Sequence, residues 1–105
     1  MIAEFSVENF FSIKSPQKIS FEPSSDTFMS DEYSREVKDG VRLLKVGIIY
    51  GANASGKSNI LNAIEFFRML VLRMPKDRNE KTRVVPFMLD DTSRNETTKM
   101  SMSFY

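Results

Sequence analysis

The sequence contains no cysteine, histidine or tryptophan, and only four glycines and four prolines in 105 residues. Without cysteine there can be no disulfide and no thiolate metal site. The lack of histidine removes the commonest metal ligand and the usual general base at neutral pH. No stretch approaches the ~20 apolar residues that span a bilayer. The first residues carry acidic groups where a signal peptide would be basic, so we expect a cytoplasmic protein with no membrane partner.

The formal net charge is only +1, which lacks the strong basic excess of a typical duplex-DNA binder. The charges are unevenly distributed, however. Residues 22–40 hold six acidic and two basic side chains, whereas residues 68–83 hold six basic and two acidic ones. The basic stretch leaves a contact with nucleic acid open, but charge runs are common on exposed faces, which favours a solvated helix end.

The length fits one small domain and leaves little room for a second. Nine phenylalanines and seven methionines provide a modest core. A chain of this size buries a limited fraction of its surface, so we expect marginal stability and a need for a partner surface. We therefore treat residues 1–105 as a single, incomplete domain of a larger protein, because the sequence stops inside a predicted strand.

Alternating apolar and polar residues predict strands at both ends of the chain. Phe5 and Val7 share one face of the first strand, and residues 18–22 alternate in the same way, which predicts an N-terminal hairpin. Residues 100–105 alternate as a half-buried strand. Residues 23–40 show no periodicity and predict a long irregular loop.

A nearly continuous apolar run covers residues 43–50 and leads directly into Gly51. Continuous hydrophobicity is typical of a central parallel strand that is buried on both faces, and we expect Tyr50 to pack beneath the following loop. Residues 58–74 predict a helix that ends at Pro75. Its apolar residues recur at three- and four-residue steps and predict one core-facing stripe: Ile60, Ile64, Phe67, Val71 and Met74.

Between the predicted strand and helix, residues 51–58 match the pattern G-x-x-x-x-G-K-[ST] of a phosphate-binding (Walker A) loop. Gly51 and Gly56 permit a tight path and close backbone approach. The helix amides and macrodipole favour an anion at this position. Lys57 is predicted to reach the β- and γ-phosphates of a nucleotide, Ser58 to ligate Mg²⁺, and Asn59 to meet the α-phosphate. The alternative is a glycine-rich turn that only joins a strand to a helix.

Two other pairs of residues could carry chemistry. Asp90 and Asp91 are paired carboxylates that could ligate a metal, although turn formation is the favoured interpretation. Phe10 and Phe11 could stack on a base, but core packing is favoured for at least one ring.

The segments MIAEFSVENFFSIK and IIYGANASGKSNILNAI resemble the opening of AAA-family ATPases with ABC-type heads, such as abortive-infection and OLD-type phage-defence proteins. More distantly, the chain is similar to the RecF and SMC ATPases. The resemblance implies an α/β P-loop fold, with antiparallel strands beside a central strand, and ATP with Mg²⁺ as cofactors. It also implies that residues 11–14 lie near the nucleotide. In the loop, Ala54 occupies a position where these relatives usually have glycine. The resemblance implies that the nucleotide is bound by Gly51, Asn53, Ala54, Ser55, Gly56, Lys57, Ser58 and Asn59.

Relatives of this kind also need a Gln loop, a signature motif, and a Walker B Asp followed by a catalytic Glu. None is recognisable after Ser58; the closest approach to Walker B is the segment Phe87–Asp91. We therefore expect weak ATP binding, no appreciable hydrolysis by this chain alone, and pairing with the rest of the ATPase head or a second copy. A non-catalytic interaction module that retains the loop is the alternative. A compact P-loop kinase ranks third, since the chain is short for a lid.

Overall fold

The computed structural model describes residues 1–52 and 56–105. Within these two ranges there are five strands, two α-helices and a short 3-10 helix at Ser93–Asn95. The strands are β1 (Ile2–Glu8), β2 (Gln17–Ser20), β3 (Ser34–Lys38), β4 (Val41–Leu44) and β5 (Lys99–Phe104), and the helices are α1 (Ser30–Tyr33) and α2 (Lys57–Leu72). The mixed α/β composition with antiparallel sheets agrees with the predicted fold class at this level.

The first sheet has the strand order β2-β1-β5, and both strand pairs are antiparallel. In β1, Ala3, Phe5 and Val7 are buried, while the residues between them are partly exposed. This alternation arises because successive side chains of a strand point to opposite faces. The predicted N-terminal hairpin and C-terminal strand are confirmed, with boundaries shifted by one or two residues.

Helix α2 covers the buried face of this sheet and begins and ends within two residues of the prediction. Ala63 is fully buried, and Phe67 lies edge-on against Phe5 with ring centroids 5.9 Å apart. The predicted apolar stripe is wrong at its C-terminal end, because Val71 and Met74 are exposed. The three-stranded sheet is too narrow to cover the whole helix, so only its first three turns join the core.

The prediction of a central parallel strand at residues 43–50 is wrong. Leu43 is fully buried, but β4 ends at Leu44 and belongs to a separate antiparallel hairpin with β3. Ile48 and Tyr50 are 82% and 89% exposed, so Tyr50 does not pack beneath the loop. A strand buried on both faces needs a hydrogen-bonded neighbour and a layer on each side. In the described part of the chain, every strand pair is antiparallel and none borders residues 45–50.

Residues 23–40 are more ordered than the sequence predicted. They include α1 and β3, and β3 turns into β4 through Asp39-Gly40, where Gly40 has a φ of +75°. The Asp-Gly pair between alternating residues is a strong hairpin signal. Arg42 fixes the hairpin to α1 by an ion pair with Asp31 at 2.7 Å. Neither α1 nor α2, the α-helices within the described ranges, has the length and apolar character that crossing a membrane requires.

Candidate nucleotide site

The candidate loop joins the irregular segment after β4 to the start of α2. Asn53, Ala54 and Ser55, which the sequence predicts to contact phosphates, lie outside the described residues. Gly56 precedes the first helical residue and has a φ of +85°, a left-handed conformation that favours glycine. A Cβ atom at this position would lie 3.3 Å from Ser12 Oγ. Both the backbone conformation and the close neighbour therefore explain why glycine occupies this position.

The ammonium group of Lys57 lies over the first residues of the loop. Its Nζ atom donates hydrogen bonds to the carbonyl oxygens of Gly51 and Ala52, each at 2.6 Å. These carbonyls hold the cation on the loop side of the helix, where it lines an open cleft of about 600 Å³. The Ser58 hydroxyl is exposed in the first turn of the helix beside it. The lysine charge is therefore accessible to a ligand in this cleft.

The N-terminus of α2 has an electrostatic character that suits an anion. Among the described residues, no side chain caps the helix start, and its first turn contains no acidic residue. The helix has 16 residues, so its aligned peptide dipoles place about half a positive charge at this end. Because neither a capping oxygen nor a carboxylate offsets that potential here, an anion would be stabilised at the loop.

A tight turn from Phe10 to Ile13 lies next to the loop. Phe10 and Ile13 exchange two backbone hydrogen bonds of 2.8 Å. Ser12, at the tip of the turn, accepts a 2.7 Å hydrogen bond from Asn59 Nδ2. The backbone N–H of Asn59, which was predicted to face the α-phosphate, donates to the Gly56 carbonyl at 3.0 Å. Residues 12–14 also line the cleft, so the structure brings this turn and the loop together.

The two aromatic residues of the turn have different environments. Phe10 is buried and packs against Phe66, with ring centroids 5.6 Å apart. Phe11 is largely exposed, and its backbone N–H donates to the Val85 carbonyl at 2.9 Å. The prediction that at least one ring belongs to the core is confirmed.

Asn9 anchors the turn to the C-terminal part of the chain, a role that sequence reasoning missed. Its buried side chain donates to the carbonyls of Ser93 and Glu96 and accepts from the N–H of Phe87, all at 2.9 Å. Its φ of +54° is left-handed, a conformation that asparagine tolerates better than most residues. No local pattern in the sequence indicates this role, because the partners of Asn9 lie about 80 residues away. The single available signal was an asparagine directly after an alternating strand.

Asp90 has the turn role that the sequence favoured. Its carboxylate accepts hydrogen bonds from the N–H and the hydroxyl of Ser93, at the start of the 3-10 helix. It also forms a 2.6 Å ion pair with Lys14. The Lys14 hydrogen bond, followed by the Ser93 N–H, lowers the pKa of Asp90 from 3.8 to about 2. Conversely, the Asp90 carboxylate raises the pKa of Lys14. This pair connects the turn beside the loop with residues 90–95.

Comparison with known proteins gives one finding. A family described as "AAA domain, putative AbiEii toxin, Type IV TA system" matches residues 48–105, which include the whole candidate loop, α2 and β5. Searches of the curated proteins and of the solved structures gave no match. Because the family match covers more than half of the chain, the chain belongs to this family of AAA-type ATPase domains.

Proposed function

We propose that the chain is the ATP-binding N-terminal lobe of an ABC-type ATPase head, and that residues 51–59 form its Walker A loop. The observation that carries this proposal is the junction at Gly56. A left-handed glycine leads into a 16-residue helix whose start lacks a side-chain cap among the described residues, and Lys57 lies over the loop carbonyls. This junction lies inside the segment that matches the AAA-type family.

The residues present fit a magnesium–nucleotide complex. Lys57 supplies a compact positive charge that phosphate oxygens could reach by displacing the carbonyls of Gly51 and Ala52. The exposed Ser58 hydroxyl is an oxygen ligand of the kind that Mg²⁺ uses together with phosphates. When bound, the metal ion neutralises charge on the β- and γ-phosphates. Ser12 lines the same cleft and is held to the helix by its hydrogen bond from Asn59, so the nucleotide would lie beside this turn.

This lobe provides only part of a catalytic site. Phosphoryl transfer requires charge neutralisation and a positioned nucleophile, and the sequence has no Walker B Asp-Glu pair after the loop. The nearest segment, Phe87–Asp91, contains no strand, and Asp90 is engaged by Lys14 and Ser93. We therefore propose weak ATP binding and no appreciable hydrolysis by this chain alone. In the intact ATPase, ATP would bridge two heads, and the rest of each head would complete the site.

The family description suggests a biological setting. It names a putative toxin of a type IV toxin–antitoxin system, and we propose a cytoplasmic role in phage defence or DNA metabolism. Dimerisation driven by ATP would control an attached effector.

The proposal can be tested by isothermal titration calorimetry of the chain with Mg-ATP. We expect weak binding that Lys57→Met reduces at least tenfold, because the substitution keeps the side-chain length and removes the charge, and charge-assisted hydrogen bonds contribute about 1.5–3 kcal/mol. Ser58→Ala should reduce the difference in affinity between Mg-ATP and ATP in EDTA. Lys38→Met, an exposed substitution in β3, is the matched control and should leave binding unchanged.

A thermal shift assay provides a second readout, since a ligand at about 100 times its Kd stabilises the folded state by about 2.7 kcal/mol. Equal binding by wild type and Lys57→Met would refute the assigned loop. A wild-type chain that neither binds nor is stabilised at saturating Mg-ATP would favour the second candidate, an interaction module without nucleotide. One observation specifically favours that candidate: several apolar side chains at the C-terminal end of α2 are exposed.

A further inference from the structure

A small groove lies at the C-terminal end of α2, on a different part of the molecule from the loop. It encloses about 280 Å³ between the last turns of the helix and the segment that follows Pro75. Four apolar residues contribute to its lining: Phe66, Met69, Leu70 and Pro75. Met69 and Leu70 are both about half exposed, so the groove presents apolar surface to solvent. Such a surface gains free energy when another apolar group covers it.

The rim of this groove is positively charged. Arg73, Arg78 and Lys81 line it together with Asp77 and Glu80. Arg73 and Glu80 form an ion pair and so neutralise each other. Of the remaining charged lining residues, Arg78 and Lys81 are positive and Asp77 is negative, which leaves one net positive charge at the rim. Lys76 and Arg83, which flank the groove in sequence, add further positive charge. The groove therefore suits an apolar side chain that is flanked by acidic groups.

The chain itself contains a segment with this chemistry. Residues 26–33 read DTFMSDEY and combine three acidic side chains with Phe28, Met29 and Tyr33. Phe28 is 76% exposed and Tyr33 is 51% exposed. Asp26 accepts a 2.9 Å hydrogen bond from the N–H of Phe28, so the local turn restricts the backbone that presents this ring. A restricted aromatic residue loses little conformational entropy when it binds.

We propose that the acidic segment 26–33 of one copy docks into the groove of a second copy. Phe28 enters the apolar groove, while Glu32 faces Arg78 and Lys81; Asp31 stays paired with Arg42 of its own copy. The segment and the groove are different surfaces, so the contact between two copies is heterologous. If two copies can each insert a segment into the other, they form a closed dimer; if not, successive copies form a ring or an open chain. The net charge of +1 permits this approach, because little overall repulsion separates two copies. An apolar floor and a nearly neutral chain favour a protein segment over a nucleic-acid backbone.

Sedimentation velocity without nucleotide tests this contact, over about 1 μM to 1 mM chain. We expect concentration-dependent association that Phe28→Ala weakens about tenfold or more, as for a buried aromatic anchor. Phe104→Ala, which removes a similarly exposed ring from β5, is the matched control and should have no effect. Raising the salt from about 0.1 M to 1 M, which shortens the Debye length from about 10 Å to 3 Å, should also weaken association.

Charge exchange separates this contact from other modes of association. Arg78→Glu/Lys81→Glu should weaken association about tenfold, and adding Glu32→Lys in the same chain should restore much of it, because this contact then has its charges reversed while the Asp31–Arg42 pair is kept. Arg35→Glu/Lys38→Glu changes the net charge equally within β3 and should not weaken it. Circular dichroism and thermal unfolding verify that each variant folds.

Three results would overturn the proposal: a monomer at every concentration, association that Phe28→Ala leaves unchanged, or a charge exchange with Glu32→Lys that fails to restore association in folded protein. In the last case, binding of a labelled single-stranded oligonucleotide that Arg78→Glu/Lys81→Glu abolishes would assign the groove to nucleic acid instead. Because no nucleotide is present, these results are independent of the ATP titrations.

Discussion

Replacing Asn9 by alanine or by glycine should test how the turn beside the candidate loop is held. The asparagine side chain makes three hydrogen bonds of 2.9 Å to backbone groups of Phe87, Ser93 and Glu96, and it is almost completely buried. Its backbone has a φ of +54°. Both substitutions remove all three hydrogen bonds, but only alanine also opposes the left-handed backbone. The pair of variants therefore separates the two contributions.

The magnitude follows from these contacts. Each hydrogen bond contributes about 1 kcal/mol net, and a buried backbone group left unpaired costs about 1–3 kcal/mol. We expect Asn9→Gly to lower the free energy of unfolding by about 3 kcal/mol. Asn9→Ala should cost about 1–2 kcal/mol more, the penalty for a left-handed residue with a Cβ atom. Since small domains have total stabilities of about 5 kcal/mol or slightly more, either loss would be a large fraction.

Urea denaturation followed by circular dichroism measures these differences. With a slope of about 1–3 kcal/mol per M, Asn9→Gly should lower the midpoint by at least about 1 M. Asn62→Ala is the control, because Asn62 is exposed on α2 and surface substitutions change stability by no more than about 0.5 kcal/mol. A change below about 1 kcal/mol for Asn9→Ala, or an alanine variant more stable than the glycine variant, would refute the reasoning.

Two further predictions follow from the same region. The pKa of Asp90 is lowered from 3.8 to about 2, so its ion pair with Lys14 should stabilise the fold fully above pH 4 and should be lost as the pH falls toward 2. Urea midpoints measured against pH should show this loss of stability in the wild type but not in Asp90→Asn. The same acid dependence in both proteins would contradict the prediction. Gly56→Ala and Gly40→Ala should each destabilise the fold by about 1–2 kcal/mol, since both glycines have positive φ. Only Gly56→Ala should also weaken Mg-ATP binding, because its Cβ would approach Ser12 Oγ to 3.3 Å; equal effects of the two variants on binding would contradict the proposed loop.

The strands and the helix that form from a short-range sequence pattern were predicted correctly. The alternation in β1 and β5 identified both strands, and the three- and four-residue spacing identified α2 to within two residues of its ends. The G-x-x-x-x-G-K-[ST] pattern located a left-handed glycine directly before the helix. These signals lie within a few residues of one another, so backbone geometry and side-chain periodicity express them directly.

The errors occurred where burial depends on a distant partner. The apolar run at residues 43–50 predicted a central strand, yet only Leu43 and Leu44 of this run lie in a strand, and that strand is β4 of a separate hairpin. Hydrophobicity indicates that a segment favours burial, but it does not provide the strands that would pair with it. For the same reason, Val71 belongs to a correctly predicted helix and still lies in solvent, and Met74 lies beyond its end. The Asp39-Gly40 hairpin, in contrast, has a local signal in the sequence.

The sequence by itself determined the loop pattern, the helix that follows it and the two strands of the N-terminal hairpin, β1 and β2, because each depends on neighbouring residues. Only the tertiary structure decided that the turn at Ser12 contacts Asn59 and that Asn9 bonds to residues 87–96. Contacts between residues far apart in the chain depend on how the sheet and helix pack together, and no periodicity encodes them.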